Sequence, residues 1–405
     1  MNSFDIWDTL IGRRFFDDAR RRHGLPVPGN TPLRVFDLEL EQCFPIAENV
    51  ARVAPDDLLV SDYDLPTIIE PLVQKVTGLN NKITVTQDGK EHDWVWAQLP
   101  RLTEHTGDNA RCDGTCVHHG IKFNHTTLTR FTAAEESVAH TMPMLARLMR
   151  ETRLTMWSPD ATERQLQLLQ SQANLPMLFA ASVLLHREMG ARQYRRVLMS
   201  SRDCFLWLKL FSSLRLDAYE AVYFYTSRFA RYWPSKSYQA YLDNLLSVPA
   251  LAVDLCGFGN SLHYALKGGP ALLAVGYTGC KVDRMVDGWL DEAANFARHA
   301  MVIDVDDAGQ PVYANPLGVD WETLRPVAVM HEAFLTAVRL LPKYNFAFDI
   351  NQSDEELKAI LTAALARMGD YADALGTMKS FRVAEAQATA ELIKSKGPLP
   401  EGITV

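Results

Sequence analysis

Two series of short apolar runs, each ending in small, polar or charged side chains, most constrain the fold of this chain. Such runs predict strands of open parallel α/β sheets, whose ligands bind beyond the carboxyl ends of the strands. The first series covers the first third of the chain, and the second begins near residue 195. The predicted strands lie in NSFDIW, DDLLVSD, KITVT, RLTEHTGDN and GIKFN, and then in RRVLMSSRDC, AVYFYTSR, PALAVDLCGFGNS, ALLAVGYTG and HAMVIDV.

Helical patterns lie between the two series and after the second. Between the series, a first helical stretch runs from Phe131 to Arg153, and a second has Asp160 as its predicted N-cap and is kinked or broken at Pro176. The last is opened by the capping-box pair Ser353 and Glu356, and it closes near Lys396. Because 405 residues is long for one core, we predict several domains. They are a first α/β domain at 1–130 with a helical insertion, and possible lid, at about 11–55, a helical linker at 131–194, a second α/β domain at 195–350, and C-terminal helices at 351–405.

Composition sets limits on partners and compartment. The net charge of −8 argues against nonspecific nucleic-acid binding through a broad basic surface, but it leaves open a local pocket for a phosphorylated small molecule. The N-terminal residues lack the regions of a signal peptide, and six cysteines are ordinary for a reducing compartment. We expect a cytoplasmic protein without a transmembrane segment and make no prediction of its oligomeric state.

One cysteine and histidine cluster, RCDGTCVHHG, raises the question of a metal site. It contains Cys112, Cys116, His118 and His119, but their spacing is not that of a zinc knuckle or ribbon. We therefore favour a helix start with ordinary buried thiols over a metal site.

Five polar residues of the first series occur at or just after predicted strands. In chain order they are Asp5, Ser61, Lys90, Asp108 and Asp113, the last two in GDN-x3-D. With the Asp-x3-Thr start that ends at Thr9, this constellation over residues 1–125 resembles the haloacid dehalogenase (HAD) superfamily. The resemblance implies a Rossmann-like parallel sheet with a small helical cap. The alternative is that Asp5 and Asp8 only cap a strand end and that GDN is a turn.

The resemblance also implies the role of each residue. Asp5 would be the nucleophile that forms an aspartyl-phosphate. Ser61 would bind a phosphoryl oxygen, and Lys90, rather than the alternative Lys82, would neutralise the nucleophile and the phosphate. Magnesium, the expected cofactor, would be held by Asp5, Asp108, Asp113 and one backbone carbonyl, that of Trp7.

The chain departs from this family two places after the nucleophile. Family phosphatases generally carry there an Asp that protonates the leaving oxygen, and this chain has Trp7. An indole cannot transfer that proton. Asp8 would substitute only if the loop is shifted, and other branches of the superfamily lack the second Asp.

The second series contains a candidate phosphate-binding loop in LAVDLCGFGNSL. Asp254 is followed by Gly257, Gly259, Asn260 and Ser261, and backbone N–H groups at a helix start can cradle a phosphate. The loop is similar to the phosphoribosyl-diphosphate (PRPP) loop of type I phosphoribosyltransferases. The resemblance implies that Asp254 contacts ribose and that the residues after it wrap the 5-phosphate. It departs from the family at Val253, usually a second acid, and at Phe258, usually a hydroxyl residue.

Two upstream strand ends extend this candidate PRPP site. MSSRDC suits a diphosphate, because a guanidinium and hydroxyls match its oxygens, and YTSR supplies a further arginine. The alternative is that Arg202 pairs with Asp203 or Asp254 and that GFG is a tight turn. Nearby, RFARYWPSKSYQAY could stack on an acceptor sugar, although such aromatics are more often core residues. The residues assigned to PRPP are Ser200, Ser201, Arg202, Asp203, Arg228, Asp254, Gly257, Gly259, Asn260 and Ser261.

Together, the two modules resemble bacterial enzymes that install ribofuranose. The resemblance implies transfer of 5-phosphoribose from PRPP to an acceptor, expected to be a glycan, followed by removal of the 5-phosphate at the first site. Two alternatives stay open. The chain could be a HAD-type hydrolase whose second half recognises the substrate, or a noncatalytic binding protein.

Overall fold

The chain forms two compact units, each built on a five-stranded parallel sheet. The computed structural model describes residues 1–15, 32–63, 66–86, 89–216, 219–315, 318–320 and 324–397. Unit 1 comprises Met1–Ser137 and Ala146–Ser158, and unit 2 comprises Val138–Leu145 and Pro159–Val405. The predicted α/β class is therefore confirmed, and the residues predicted as a linker are shared between the units.

All five predicted strands of the first series form one sheet in unit 1. The sheet order is β5-β4-β1-β6-β7, and every pair is parallel. In chain order within the sheet this is 3-2-1-4-5. The strands of the unit, including the short β2 and β3, are β1 (Ser3–Asp5), β2 (Ile11–Arg13), β3 (Cys43–Pro45), β4 (Leu58–Ser61), β5 (Ile83–Val85), β6 (Glu104–Gly107) and β7 (Lys122–His125).

The central strands of this sheet are buried on both faces. On β4, Leu59 packs into a cluster with Phe4, while Leu58 and Val60 pack into another cluster with Trp96. Alternate residues of a strand point to opposite faces, so continuous apolar runs belong in a sheet covered on both sides. Asp5 pairs in register with Val60 and therefore lies on the Trp96 face of the sheet.

The predicted helical insertion is only partly helical. Its described part contains an antiparallel ladder between β2 and β3, and residues 16–31 lie outside the described residues. The short apolar segments on either side of that gap pair with each other, which a helical pattern could not predict. The helices of this part of the chain are α1 (Pro32–Gln42), α2 (Ala47–Val50), α3 (Pro66–Thr77), α4 (Asp93–Ala97), α5 (Ala133–Ala139) and α6 (Pro143–Leu154), with a 3-10 helix at Asp113–His119.

The sheet of unit 2 contains four of the five predicted strands and one that was not predicted. Its order is β12-β11-β10-β8-β9, all parallel, or 2-1-3-4-5 in chain order within the sheet. HAMVIDV forms β13, which pairs with β14 in a separate antiparallel hairpin. The strands are β8 (Arg196–Ser200), β9 (Glu220–Phe224), β10 (Ala250–Gly257), β11 (Ala271–Gly276), β12 (Asp283–Asp287), β13 (Met301–Val305) and β14 (Pro311–Ala314).

A long buried helix opens the second part of unit 2. Asp160 caps it by accepting the N–H of Glu163, as predicted. Pro176 does not break it, because the helix continues to Ala191 and the turn just before the proline is widened instead. The interruption is a π-helical turn at Gln170–Asn174, between α7 (Ala161–Leu169) and α8 (Leu175–Ala191).

This helix meets the length and composition test for a membrane-spanning helix. Residues 165–186 contain no Asp, Glu, Lys or Arg. In the structure, 94% of an apolar 18-residue stretch of this helix is buried inside the protein. Core helices of soluble proteins pass the same test, so this finding is weak evidence for a membrane span.

The rest of unit 2 is largely helical. The predicted capping box is present, since Ser353 and Glu356 each bond the other's backbone N–H, and the last helix ends at Ser395, near the predicted Lys396. The helices are α9 (Phe205–Ser213), α10 (Arg228–Tyr232), α11 (Lys236–Leu245), α12 (Asn260–Ala265), α13 (Arg325–Leu340), α14 (Asp354–Arg367), α15 (Ala372–Gly376) and α16 (Lys379–Ser395), with 3-10 turns at Glu292–Asn295, Leu341–Lys343, Asp349–Asn351 and Met368–Tyr371.

Candidate functional sites

The first candidate site lies where the strand order of the unit 1 sheet reverses. Strands β1 and β6 are neighbours at the middle of the sheet, and their connections leave in opposite directions. In open α/β sheets, ligands bind in the crevice at this point, beyond the carboxyl ends of the strands. Asp5 is the last residue of β1, and Asp108 directly follows β6.

Lys90 joins two of the predicted carboxylates at this point. Its Nζ contacts Oδ1 of Asp5 and lies 2.6 Å from Oδ1 of Asp113, and all three residues are buried. Burial alone would lower the pKa of Lys90, but the two carboxylates raise it above its usual value. Lys82, the alternative considered, is exposed and precedes β5. It therefore lies at the amino ends of the strands, opposite to the carboxyl ends where Asp5 and Asp108 lie.

Three carboxylates converge beside this ammonium group. One oxygen each of Asp5, Asp108 and Asp113 lies within 4.8 Å of the other two, and they form the one such cluster found in the described part of the chain. Burial raises the pKa of Asp5 well above its usual value, and Asp113 adds to this while Lys90 opposes it. Burial, followed by Asp8 and Asp113, raises the pKa of Asp108 to about 6. Three acids facing one ammonium leave negative charge that a divalent cation would neutralise.

Asp113 is held in a fixed place by its surroundings. Its Oδ2 accepts the N–H of Asn109 at 3.1 Å, and the carboxylate lies against Gly107, where an added Cβ would come within 2.3 Å of Oδ2. On the other side, Nε2 of His105 lies 3.4 Å from Oδ1. Burial alone would raise the pKa of Asp113, but His105 and Lys90 bring it below its usual value.

The loop after Asp5 folds back tightly on itself. The carbonyl of Ile6 accepts the N–H groups of both Leu10 and Ile11, and Asp8 has a φ of 54°, a left-handed conformation that Asp tolerates better than most residues. Burial raises the pKa of Asp8, while the charges of Arg13 and Arg150 oppose the rise. Asp8 also acts on the pKa of Asp108, so the loop brings this acid near the carboxylate cluster.

Trp7 is packed rather than directed at a proton acceptor. The guanidinium of Arg13 lies 3.6 Å from the centre of its ring, and the ring of Tyr63 lies 5.1 Å away. Glu39 fixes this arrangement by accepting bonds from both Arg13 and Tyr63. The indole nitrogen is buried without a hydrogen-bond partner among the described residues.

The two predicted hydroxyl residues of the site are fully buried. Ser61 ends β4, next to β1, and its Oγ accepts the N–H of Tyr63 at 3.2 Å. Thr9 lies in the tight loop, where its carbonyl accepts a bond from Asn49 at 2.8 Å. In the part of the chain that the structure describes, the hydroxyl of Thr9 has no hydrogen-bond partner.

The cysteine and histidine cluster is not brought together around one point. The segment forms the 3-10 helix at Asp113–His119, in which Cys116 is buried. Nδ1 of His118 lies 2.8 Å from an exposed carboxylate, that of Asp93. Within the described ranges, the aspartate cluster is the group suited to a metal.

The second candidate site lies at the reversal point of the unit 2 sheet, between β8 and β10. Ser200 ends β8, one residue after Met199. Asp254 comes one residue after Val253, the register partner of Met199 on β10. Asp254 was expected at the end of its strand, but β10 continues to Gly257 because its backbone goes on pairing with β11.

Arg231, which the sequence analysis did not assign to a site, joins the polar residues there. It is buried and donates to Ser200 at 2.8 Å, to Thr226 at 3.0 Å, and to Asp254 and Ser261 at 3.1 Å each. These partners lie at the end of β8, just after β9, within β10 and at the start of α12. The guanidinium therefore fixes the geometry of the whole reversal point.

The predicted pyrophosphate turn is engaged in other contacts. Arg202 forms a bidentate ion pair with Glu385 and stacks on Phe296, with its Cζ 4.5 Å from the ring centre. Its bidentate partner is Glu385 rather than Asp203 or Asp254, the two considered, and the charge of Asp203 also contributes to the raised pKa of Arg202. Burial, and then Glu292, raise the pKa of Asp203 well above its usual value.

The other predicted contacts lie around this turn. Ser201 Oγ donates to the carbonyl of Thr226 at 2.7 Å, and Arg228 is exposed at the start of α10. Of the aromatic run, Tyr232 and Tyr238 are buried core residues, which agrees with the alternative that such aromatics belong to the core.

The glycine loop that follows β10 takes conformations that require glycine. Gly257 and Gly259 have φ values of 126° and 69°, and a Cβ on Gly259 would meet Val282 at 2.4 Å. Asn260 begins α12, a helix of six residues, and its buried Oδ1 has no hydrogen-bond partner. Ser261 is buried and bonded to Arg231.

No protein-family model matches this chain, and no curated protein sequence matches it significantly.

Proposed function

We propose that unit 1 is a Mg²⁺-dependent phosphatase of the HAD type with Asp5 as its nucleophile. The observation that carries this proposal is the meeting of Asp5, Asp108 and Asp113 within 4.8 Å, with Lys90 beside them, at the reversal point of a parallel sheet. Four groups from separate parts of the chain do not converge at a ligand-binding edge by turn formation alone. The alternative in which these acids only cap a strand and a turn leaves that convergence unexplained.

The donor set fits magnesium. Carboxylate and carbonyl oxygens are hard ligands, which Mg²⁺ prefers to nitrogen or sulfur. Asp5, Asp108 and Asp113 would hold the ion together with the carbonyl of Trp7. When bound, Mg²⁺ supplies the positive charge that lets a carboxylate approach a phosphate dianion.

The protein's own residues divide the remaining work. Asp5 attacks phosphorus and forms an aspartyl-phosphate as the bond to the leaving oxygen breaks, and water then releases phosphate. Lys90 aligns Asp5 and opposes the rise of its pKa, and Ser61 donates to a phosphoryl oxygen. Because Trp7 cannot give a proton to the leaving oxygen, Asp8 is the acid available for that role.

Phosphate release from generic phosphomonoesters tests this proposal. We expect the wild type to hydrolyse them in the presence of Mg²⁺ and Asp5→Asn to lose at least about 10³-fold in rate, because an amide is not a nucleophile. Asp93→Asn removes an exposed acid of the same unit and should behave as the wild type. Activity that survives Asp5→Asn would show that this residue is not the nucleophile.

For unit 2 we propose phosphoribosyl transfer from PRPP. What supports it is the gathering of Ser200, Asp254 and Ser261 around Arg231 at the reversal point of the second sheet. Hydroxyls and a fixed acid there suit the ribose and phosphate oxygens of PRPP. Arg202 would exchange Glu385 for the departing pyrophosphate, whose developing charge it would stabilise.

The two proposed activities form a sequence. Transfer of 5-phosphoribose to an acceptor, for which we propose a glycan, gives a phosphomonoester, and unit 1 would remove its phosphate. Two other hypotheses compete with this two-step function. They are a hydrolase whose unit 2 recognises the substrate, and a binding protein without catalysis.

A calorimetric titration with PRPP and Mg²⁺ separates these readings. We expect the wild type to bind PRPP and Asp254→Ala to bind it at least about tenfold more weakly, because a charged hydrogen-bond partner of ribose is lost. Asp243→Ala, on exposed α11 surface, is the control. A wild type that neither binds nor consumes PRPP rules out the transferase, and Mg²⁺-dependent phosphatase activity then separates the hydrolase from the binding protein.

A further inference from the structure

The carboxylate of Asp113 lies on one face of β6, between two residues of that strand. His105 and Gly107 are two positions apart and therefore point to the same face. Gly107 leaves the space for the carboxylate, since a Cβ there would come within 2.3 Å of Oδ2. The N–H of Asn109 binds Oδ2 at 3.1 Å. One oxygen is thus fixed by the backbone, and the direction of the other depends on its neighbours.

His105 faces that second oxygen. Its Nε2 lies 3.4 Å from Oδ1 of Asp113, and both side chains are fully buried. This nitrogen has no hydrogen bond of ordinary geometry to any described residue. The edge of Trp96 packs against the imidazole at 4.7 Å between ring centres, which restricts the ring to its present orientation.

Ser3 is the hydrogen-bond partner of the other ring nitrogen of His105. Its Oγ lies 2.8 Å from Nδ1 of His105, and the two residues are register partners on β1 and β6. A neutral imidazole donates from one nitrogen and accepts at the other. When the hydroxyl of Ser3 donates to Nδ1, the proton is on Nε2 and points to Asp113.

We propose that His105 is a positioning residue of the unit 1 site, which orients the Asp113 carboxylate toward Mg²⁺ through Nε2–H, with Ser3 setting the tautomer. This assignment rests on the proposed phosphatase function. Asp5 and Ser3 lie on the same face of β1, so one strand carries both the nucleophile and the residue that starts this chain of contacts. A purely structural ring would not need its free nitrogen to face a ligand carboxylate, because an apolar side chain would fill the same space without a buried polar atom.

Direct titration of the full-length protein with MgCl₂ by calorimetry, without substrate, tests the assignment. We expect His105→Phe to bind Mg²⁺ roughly 10- to 100-fold more weakly than the wild type, the range for loss of a residue that orients a metal ligand. His105→Gln keeps an N–H donor at similar reach and should recover most of the affinity. Ser3→Ala should weaken binding in the same direction but less, because the tautomer is no longer fixed.

Melting temperatures measured without Mg²⁺ distinguish this role from a structural one. A structural role predicts that the variants lose stability while folded protein keeps wild-type affinity for the ion. If His105→Phe does not fold, Ser3→Ala and His105→Gln still test the assignment. Unchanged Mg²⁺ affinity in Ser3→Ala, together with a strong loss of affinity in His105→Gln, would overturn it. His118→Ala, an exposed histidine of the same unit, is the control.

The two proposals fail in different ways. Absence of Mg²⁺ binding and of phosphatase activity in the wild type would overturn the proposed function, and this assignment with it. Wild-type binding that is the same in His105→Phe would overturn the assignment alone.

Discussion

Trp7 is the residue that most separates this site from a phosphatase with a full set of acids. Its ring is held by Arg13 at 3.6 Å and by Tyr63 at 5.1 Å, so its place in the loop is stable without any hydrogen bond to the indole nitrogen. The nearest acid in sequence, Asp8, is placed by a tight turn rather than by the strand. Proton donation to the leaving oxygen is therefore the weakest step of the proposed reaction.

Installing the missing acid should change which phosphomonoesters react well. We expect Trp7→Asp to accelerate hydrolysis of alkyl phosphates by roughly 10²-fold or more, the lower range for general acid catalysis. Nitrophenyl phosphate, whose leaving group needs no proton, should gain little. Rates are compared over a series of leaving groups, with Trp7→Phe as the control. An equal change for both kinds of substrate would mean that the leaving oxygen is not near position 7.

The sequence allowed prediction of the residues that carry charge at the first site, but not of those that place them. Asp5, Lys90, Asp108 and Asp113 stand out because polar residues at the ends of apolar runs are conspicuous. His105 lies inside a strand, where a lone histidine looks like a core residue, and its contact with Asp113 depends on the strand order. Arg231 was seen only as one member of an aromatic run, because three of its four partners are 23 to 31 residues away in sequence.

At the scale of elements, strands with clear apolar runs were predicted correctly, and the mostly charged edge strand β12 was not. β12 was missed because its residues, DRMVD, are mostly charged, as an edge strand with few buried positions allows. β13 has an apolar run, yet it pairs with β14 outside the main sheet. An apolar run predicts a strand but not its pairing partner, so the hairpin with β14 could not be predicted from the run itself.

A buried ion pair links β2 and α6 within unit 1. Arg14, just after β2, donates to Glu151 at 2.7 and 2.6 Å, and both side chains are almost fully buried. We expect Glu151→Gln to lower the free energy of unfolding by about 3–5 kcal/mol, because it leaves the guanidinium buried beside a neutral group. Urea unfolding gives the value.

A surface pair provides the matched comparison. Glu104→Gln breaks the exposed contact with Lys122 in the same unit, and it should cost less than about 1 kcal/mol. Equal losses in Glu104→Gln and Glu151→Gln would contradict the importance of burial for this pair.

At the scale of the whole molecule, two parallel sheets of equal size have different strand orders, 3-2-1-4-5 and 2-1-3-4-5. The alternation of apolar runs indicated both sheets, but it contains no information on which strands are neighbours. The order decides where the reversal point falls, and therefore which strand ends can form a site. The general location of each site was predictable, and the contacts within it were not.

One buried histidine makes the stability of unit 2 depend on pH. His331 is 4% exposed, and its Nε2 lies 2.7 Å from the carbonyl of Phe296. Burial lowers its pKa to about 4, against about 6.5 in an unfolded chain. Between these values the unfolded state binds more protons than the folded state, so stability falls as pH decreases from about 6.5 to 4.

This histidine should therefore contribute roughly 3 kcal/mol to the loss of stability over that interval. His331→Gln can keep the bond to Phe296 but cannot be protonated, and we expect it to lose less stability by that amount. Urea unfolding of both proteins at pH 7 and near pH 4 gives the comparison. Parallel loss in the two proteins would mean that other groups are responsible.

The long helix that opens unit 2 has a consequence for the protein when it is not folded. Residues 165–186 carry no formal charge, and in the native state they are almost entirely enclosed by their own unit. Once that unit opens, this apolar segment becomes available to other copies, and no charge within the segment opposes their association. Heating should therefore end in precipitation that cooling does not reverse, with a yield on refolding that drops as the protein concentration is raised.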